Sequence, residues 1–331
     1  MLVGEVFSSY GAELKRVEAE LANIFASDVP LIPLVGQHIL GGGGKRMRPL
    51  FLLLSADLCG YTGDKRAVLG AVIEAIHTAS LLHDDVIDEA QTRRGKTASH
   101  VLWGNHMVIL IGDYLYSNAL RIAVGLKSQK VMDALSEATT RMTEAEILQL
   151  SKTGDPEITE DEYFTIISGK TGVLISAACR IGAVLAGMPE EHETALRDFG
   201  LKAGIAFQLA DDVLDYVAQQ AALGKKLGKD LEEGKITMPL IHLLRDALPT
   251  ERDEIITIIK EASREEKDDS RNGNHLARII ELYAKYDSIA KAMKTAQNLI
   301  DDAHQCLAIF PDSSYKDALK TLASYSMQRK S

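Results

Sequence analysis

Two short segments hold most of the chemistry legible in this chain: Asp84-Asp85-Val86-Ile87-Asp88 and Asp211-Asp212-Val213-Leu214-Asp215. Each sets three carboxylates at i, i+1 and i+4. On a helix, i and i+4 share a face, ~6 Å apart along the axis. Both are framed by apolar residues, Leu81-Leu82 before the first, Phe207 and Leu209-Ala210 before the second. Carboxylates without a partner are costly in such surroundings, so the clusters point to a shared partner of high positive charge. Hard divalent cations fit. Mg²⁺ held by one or two carboxylates commonly takes substrate phosphates as further ligands. A single copy reads equally well as an exposed acidic patch, but a second copy in the same apolar setting argues against that.

Basic residues near these clusters extend the pattern. Arg93 and Arg94 follow the first pentad, and guanidinium forks match phosphate oxygens two at a time, which favours a diphosphate. The run Gly41-Gly42-Gly43-Gly44-Lys45-Arg46-Met47-Arg48-Pro49 is not a P-loop, since no Ser or Thr follows Lys45 and no strand precedes it. It reads either as a flexible loop or as backbone and cations near a helix start, gripping a second anion. Lys170, Lys225 and Lys235 taken alone are ordinary snorkelling or solvated charges. Beside two acidic clusters, the cations together describe a pocket for two diphosphates. A net charge of −10 argues against a nucleic-acid partner, which calls for a basic patch. Metal bridging lets an acidic protein bind anions.

The elements that position these residues read as helices. Apolar residues recur at three- and four-residue spacing through Val6–Phe25, Ala67–Asp88, Val101–Leu126, Val131–Leu150, Glu160–Leu185 and Glu190–Val217. Alternating strand patterns closed by Asn-Gly turns are absent. None of the eight prolines falls inside a pentad segment. Leu69–Leu82 is apolar around most of its circumference, which predicts a central helix enclosed by others. Polar breaks are short (Lys152–Pro156, Gln219–Lys235 and Arg264–Asn274), the last a solvated loop or frayed helix end. The expectation is an all-α fold with central helices enclosed by others, and residues 1–331 forming one domain. The three cysteines are widely spaced among apolar neighbours and read as buried thiols. Glu5 and Glu13 interrupt any leader, and Arg180 breaks the Gly172–Gly187 apolar stretch. No transmembrane segment and a cytoplasmic location are expected.

The segments GGGGKRMRP, LLHDDVIDEAQTRRG, SGKTGVL, FQLADDVLD and LGKDLEEGKITMP occur in order between about residues 41 and 240. They resemble those of the trans-isoprenyl diphosphate synthases (polyprenyl synthetases), nearest the bacterial long-chain, octaprenyl-type members. The resemblance implies an isoprenoid-synthase-type bundle of about ten or more helices around a central apolar cavity, and three Mg²⁺ ions per active site, held by Asp84, Asp85, Asp88, Asp211, Asp212 and Asp215. It implies that Arg93, Lys170, Lys225 and Lys235 contact the allylic diphosphate, and that Thr171 and Gln208 line the place where the allylic cation forms. Lys45, Arg48, His77 and Arg94 would bind isopentenyl diphosphate. A homodimer is implied, as is peripheral membrane contact during product release. Ile236 departs from the proline found in many relatives.

Glu74-x-x-His77 matches half of a di-iron bundle site, but no second Glu-x-x-His exists, so His77 fits a substrate anchor better. His83 reads as a packing histidine. Ser80 lies one turn before Asp84 with Ala79 beside it; in the resembled family a large aromatic there limits product length. Their small size predicts an open tunnel and a long, octaprenyl-like product suited to a respiratory quinone tail. A short-chain farnesyl or geranylgeranyl synthase is the alternative. A class I terpene cyclase fits less well, because it needs no isopentenyl site. A non-catalytic partner subunit fits poorly with two intact pentads.

Overall fold

A computed structural model describes residues 2–93, 95–217, 228–262 and 269–328. The expected positions Arg94 and Lys225 lie outside the described residues. The chain is all-α: among the described residues, the strands are Thr92–Arg93 (β1) and Lys96–Thr97 (β2), a two-residue antiparallel hairpin turning through Gly95 at φ 74°. This hairpin corrects the expectation of no strands. It is too short to carry alternation, so no sequence period could show it.

Close packing groups the chain into two compact units. The first comprises residues 1–139, 174–197 and 309–322. It holds α1 (Val3–Ser9), α2 (Gly11–Ile24), α3 (Leu31–Leu40), α4 (Met47–Leu58), α5 (Lys65–Ile87), α6 (Ser99–Trp103) and α7 (Asn105–Gly125). Its centre is α5, which packs against α2, α4 and α7. Between Leu69 and Leu82 only His77, Ser80 and Leu81 escape full burial. The wide apolar stripe dictates that position, because a helix apolar on most sides must be covered on most sides. Two expected helices are interrupted. Val6–Phe25 breaks at Tyr10, whose hydroxyl donates to Asp57 at 2.5 Å. Val101–Leu126 breaks at Gly104, where φ is 80°.

The second unit comprises residues 140–173, 198–308 and 323–331. Thr159 caps α9 (Glu160–Ile167) with a full capping box: its hydroxyl accepts from the Glu162 amide at 3.1 Å while the Glu162 carboxylate accepts from the Thr159 amide at 2.9 Å. A π-turn, Ser168–Gly172, follows and runs straight into α10 (Val173–Leu185). The helix is therefore continuous from Glu160 to Leu185, the span that the apolar spacing predicts. By length and composition this helix and α7 could each cross a membrane; 72% of the former's apolar window is buried, against 33% for α7. The unit's core joins Tyr163, Leu209, Val213 and Tyr216 to Met238, Leu240, Leu243, Ile279 and Leu282. Asp269–Tyr286 is helical, so most of the polar run read as a loop or frayed end belongs to a helix. Its apolar positions Leu276, Ile279 and Leu282 pack on that core.

Candidate active site

The first pentad ends α5, with Asp88 as the C-cap residue. Asp85 turns inward, 3% exposed, while Asp84 and Asp88 are half-buried. Arg93, on β1, donates from Nε to Asp85 Oδ1 at 2.7 Å, and its Nη2 lies 2.5 Å from the same oxygen. The pentad and the arginine expected beside it are thus brought together directly. His38, in the last turn of α3, approaches the Thr97 carbonyl at 3.0 Å and so ties α3 to the hairpin. A cavity opens here, lined by Gly42, Arg46, Leu82, Asp85, Arg93 and Lys96. Its charges are predominantly positive, which suits an anion.

The glycine run leads from α3 into α4. Gly43 and Gly44 take φ 69° and 155°, conformations open to glycine and costly for other residues. Lys45 is exposed and Arg48, in the first turn of α4, is half-buried. His77 is half-buried on α5, two turns before the pentad. Ala79 is 2% exposed, and the Ser80 hydroxyl donates to the His77 carbonyl at 2.9 Å. The cavity beside the pentad is lined by Thr78, Leu81 and Leu82, and not by Ala79 or Ser80. His83 packs onto α7: its Nε2 lies 3.1 Å from the Ile109 carbonyl, over Gly112, where any Cβ would collide with the ring.

In the second unit the other pentad lies near the end of α11 (Glu190–Val217). Asp212 is 6% exposed and accepts two hydrogen bonds, from Tyr163 Oη at 2.6 Å and from Gln208 Nε2 at 2.7 Å. Gln208 in turn accepts from the Thr171 hydroxyl at 2.7 Å. Thr171, Gln208, Asp212 and Tyr163 therefore form one chain of hydrogen bonds, three of the four expected from the sequence. Burial pushes the Asp212 carboxyl up to about 6, and neighbouring Asp211 and Asp215 push the same way, against the Tyr163 and Gln208 hydrogen bonds. Asp215 accepts the Asp230 amide at 3.0 Å, and Asp230 itself is raised well above the usual range by burial and then by Asp212 and Asp215. A concentration of negative charge that favours protons also favours a divalent cation.

Lys170 emerges from the π-turn, a feature common at functional positions. Gly169 allows that turn to press against α8 (Gln129–Ser151): a Cβ there would sit 2.6 Å from the Arg141 carbonyl oxygen. Lys170 Nζ lies 3.1 Å from Glu146 and 3.3 Å from Gln149. Lys235 pairs with Glu233 at 2.7 Å. Lys170, Gln208, Asp212 and Lys235 line one cavity together with Gln149 and Asp230.

Among the described residues, no group of three or more His, Cys, Asp or Glu side chains converges tightly enough to hold a metal ion by itself. Mg²⁺ commonly takes only one or two carboxylates and fills its other positions with waters and phosphate oxygens. The sequence reading missed Tyr163, Gln149 and Asp230. Tyr163 lies 49 residues from Asp212, so no local spacing links them. Asp230 stands between Lys225 and Lys235 and could have been singled out with them.

The family model of the polyprenyl synthetases matches residues 29–279. The chain belongs to the polyprenyl synthetase family. It is a prenyltransferase. It is 39% identical over 318 residues to octaprenyl diphosphate synthase of Escherichia coli K12, covering 96% of each chain. It is 38% identical to an all-trans-nonaprenyl-diphosphate synthase of Rhodobacter capsulatus, covering 92% of this chain and 91% of that one. A short chain isoprenyl diphosphate synthase of Methanothermobacter thermautotrophicus is 35% identical, over 88% of this chain and 89% of its own. Among solved structures, a Caulobacter crescentus polyprenyl synthase complexed with calcium and isoprenyl diphosphate matches with TM-score 0.91 and 36% identity, covering 99% and 98% of the two chains. A decaprenyl diphosphate synthase from Rhodobacter capsulatus matches with TM-score 0.92 and 35% identity, covering 99% of both. The prenyltransferase thus has the all-α isoprenoid synthase fold.

Proposed function

We propose that this prenyltransferase is a long-chain all-trans polyprenyl diphosphate synthase. It condenses isopentenyl diphosphate onto a farnesyl-like allylic diphosphate, giving an octaprenyl-like product for a quinone side chain. The observation that carries the reading is the pair of aspartate pentads, each set beside a cavity that also holds cations. The likeness to octaprenyl, nonaprenyl and decaprenyl synthases supports the product class. A short-chain product is the second reading, favoured by the relative of that name; the small Ala79 and Ser80 weigh against it.

In this reading Asp84, Asp85, Asp88, Asp211, Asp212 and Asp215 hold Mg²⁺, three ions per site. When bound, Mg²⁺ supplies Lewis-acid neutralisation of the leaving diphosphate. Arg93, Lys170, Lys225 and Lys235 grip the allylic diphosphate, supplying positive charge where negative charge develops. The C–O bond breaks with its electron pair on the diphosphate. Thr171 and Gln208, held by their mutual hydrogen bond, present oxygen lone pairs toward the allylic cation. Lys45, Arg48, His77 and Arg94 hold isopentenyl diphosphate so that its double bond attacks that cation. A proton then leaves to the departed diphosphate and restores the alkene. Apolar walls exclude water, which would quench the cation. Each added isoprene unit buries more hydrocarbon, at ~0.8 kcal/mol per CH₂.

The whole chain, residues 1–331, acts as one catalytic domain in the cytoplasm, a reading supported by a family match that includes segments of both compact units. The enzyme works as a homodimer. The apolar exposure of Leu110 and Val124 on α7, 61% and 57%, supports a covered face there. The greasy product leaves through peripheral membrane contact. The purified protein with Mg²⁺, farnesyl diphosphate and labelled isopentenyl diphosphate tests the proposal, with products sized by mass. Absence of elongation refutes the synthase reading, and a product stopping at four units or fewer establishes the short-chain one.

A further inference from the structure

Arg46 is the residue before α4 and adopts φ 50°, ψ 41°. For a residue with a side chain this left-handed conformation is strained, because Cβ crowds the following carbonyl. Such strain persists where surrounding contacts over-determine it. Here they do. Arg46 is buried, 7% exposed, although Lys45 beside it is exposed. Its Nη1 donates to Glu74 Oε1 at 3.0 Å, and its Nε to Glu18 Oε1 at 3.4 Å. Glu74 is itself buried on α5, one turn before His77. The Arg46 carbonyl accepts the first helical hydrogen bond of α4, from Leu50 at 3.1 Å. One side chain therefore fixes the turn that carries Lys45 and Arg48, the start of α4, and their place against the helix bearing His77. Two of its nitrogens are committed to carboxylates.

We propose that Arg46 is a positioning residue for isopentenyl diphosphate, its buried ion pair with Glu74 setting Lys45 and Arg48 in register with His77. The inference rests on the assignment of those three residues to that substrate. Neither Arg46 nor Glu74 has a part in the chemistry itself. Lysine cannot substitute at position 46, since it lacks the planar fork that reaches two carboxylates.

The test uses the full chain with Arg46→Gln, Glu74→Gln and the double variant Arg46→Met/Glu74→Leu, which replaces the pair with apolar groups. Steady-state kinetics with Mg²⁺ give KM for each substrate. Calorimetric titration with isopentenyl diphosphate alone, with no allylic substrate present, measures its binding without turnover. Both single variants raise KM for isopentenyl diphosphate roughly tenfold or more, and leave that for farnesyl diphosphate within about twofold. They weaken the isopentenyl diphosphate titration in parallel. The double variant regains thermal stability yet keeps the raised KM. Recovery of KM along with stability makes the pair merely structural and overturns the proposal. A raised KM in Arg46→Gln alone makes Arg46 a direct ligand, which overturns it too. If the wild type fails to elongate, the functional reading falls, and the isopentenyl diphosphate titration still decides the role of Arg46.

Discussion

Replacing Tyr163 with phenylalanine deletes one oxygen atom and, with it, the 2.6 Å hydrogen bond to Asp212. The carboxylate keeps the donation from Gln208 at 2.7 Å, in surroundings that leave it 6% exposed. A hydrogen bond to a charged group contributes ~1.5–3 kcal/mol. At about 1.4 kcal/mol per factor of ten, its loss corresponds to ~10–100-fold in holding the ionised form. The sign follows from the causes of the shift: burial raises Asp212 and the Tyr163 hydrogen bond lowers it. Removing that bond raises the carboxyl further, so a larger share is protonated near neutrality. A metal-binding carboxylate must lose its proton first. The Mg²⁺ concentration for half-maximal activity should therefore rise ~10–100-fold, the range seen when a partner of a metal ligand is lost. The rise should be steeper at about pH 6.5 than at about pH 8.5, because more of the carboxyl is protonated there. Isopentenyl incorporation measured against Mg²⁺ at both pH values checks this, with circular dichroism confirming the helical fold. A folded Tyr163→Phe enzyme with wild-type Mg²⁺ dependence at both pH values refutes the assignment of Asp212.

Three further outcomes are expected. Ala79→Tyr should shorten the product, since a ring there fills the turn before Asp84; an unchanged chromatographic distribution refutes the tunnel assignment. Gly182→Ala should destabilise the fold by ~1–3 kcal/mol, because the new Cβ would lie 2.6 Å from Ser55 Cβ and 2.7 Å from the Ala56 amide nitrogen, and backbone cannot swing away; calorimetry should show Tm lower by several degrees. His242 is buried and held below its usual 6.5, first by desolvation and then by Arg245. The unfolded chain therefore binds a proton that the folded chain refuses, and stability should fall as pH drops below about 6.5. Chemical denaturation across that range, compared with His242→Gln, isolates the effect: the variant should lose less stability on acidification.

The helical class was readable because its signal is local. Apolar spacing through 67–88 fixes α5 and explains why its middle is buried on nearly all sides. Both aspartate pentads were visible for the same reason: i, i+1 and i+4 are neighbours in any helix. The cations were legible as types. Their partners were not: Lys170 faces Glu146 and Gln149, and Lys235 faces Glu233. The helix from 269 was hidden because Gly273 and a dense run of charges lower local propensity, while Leu276, Ile279 and Leu282 gain their stabilisation only on the core.

The sequence alone determined which residues can do chemistry and which helix faces present them, because helix period and side-chain type are properties of short stretches. Only the tertiary structure decided what each group touches. Asp212 meets Tyr163 from 49 residues away, and Arg46 meets Glu74 from 28. Such pairs arise when separate helices are pressed together by the burial of their apolar faces. That force depends on area and carries no sequence separation, so nothing in the spacing of those residues announces where they meet.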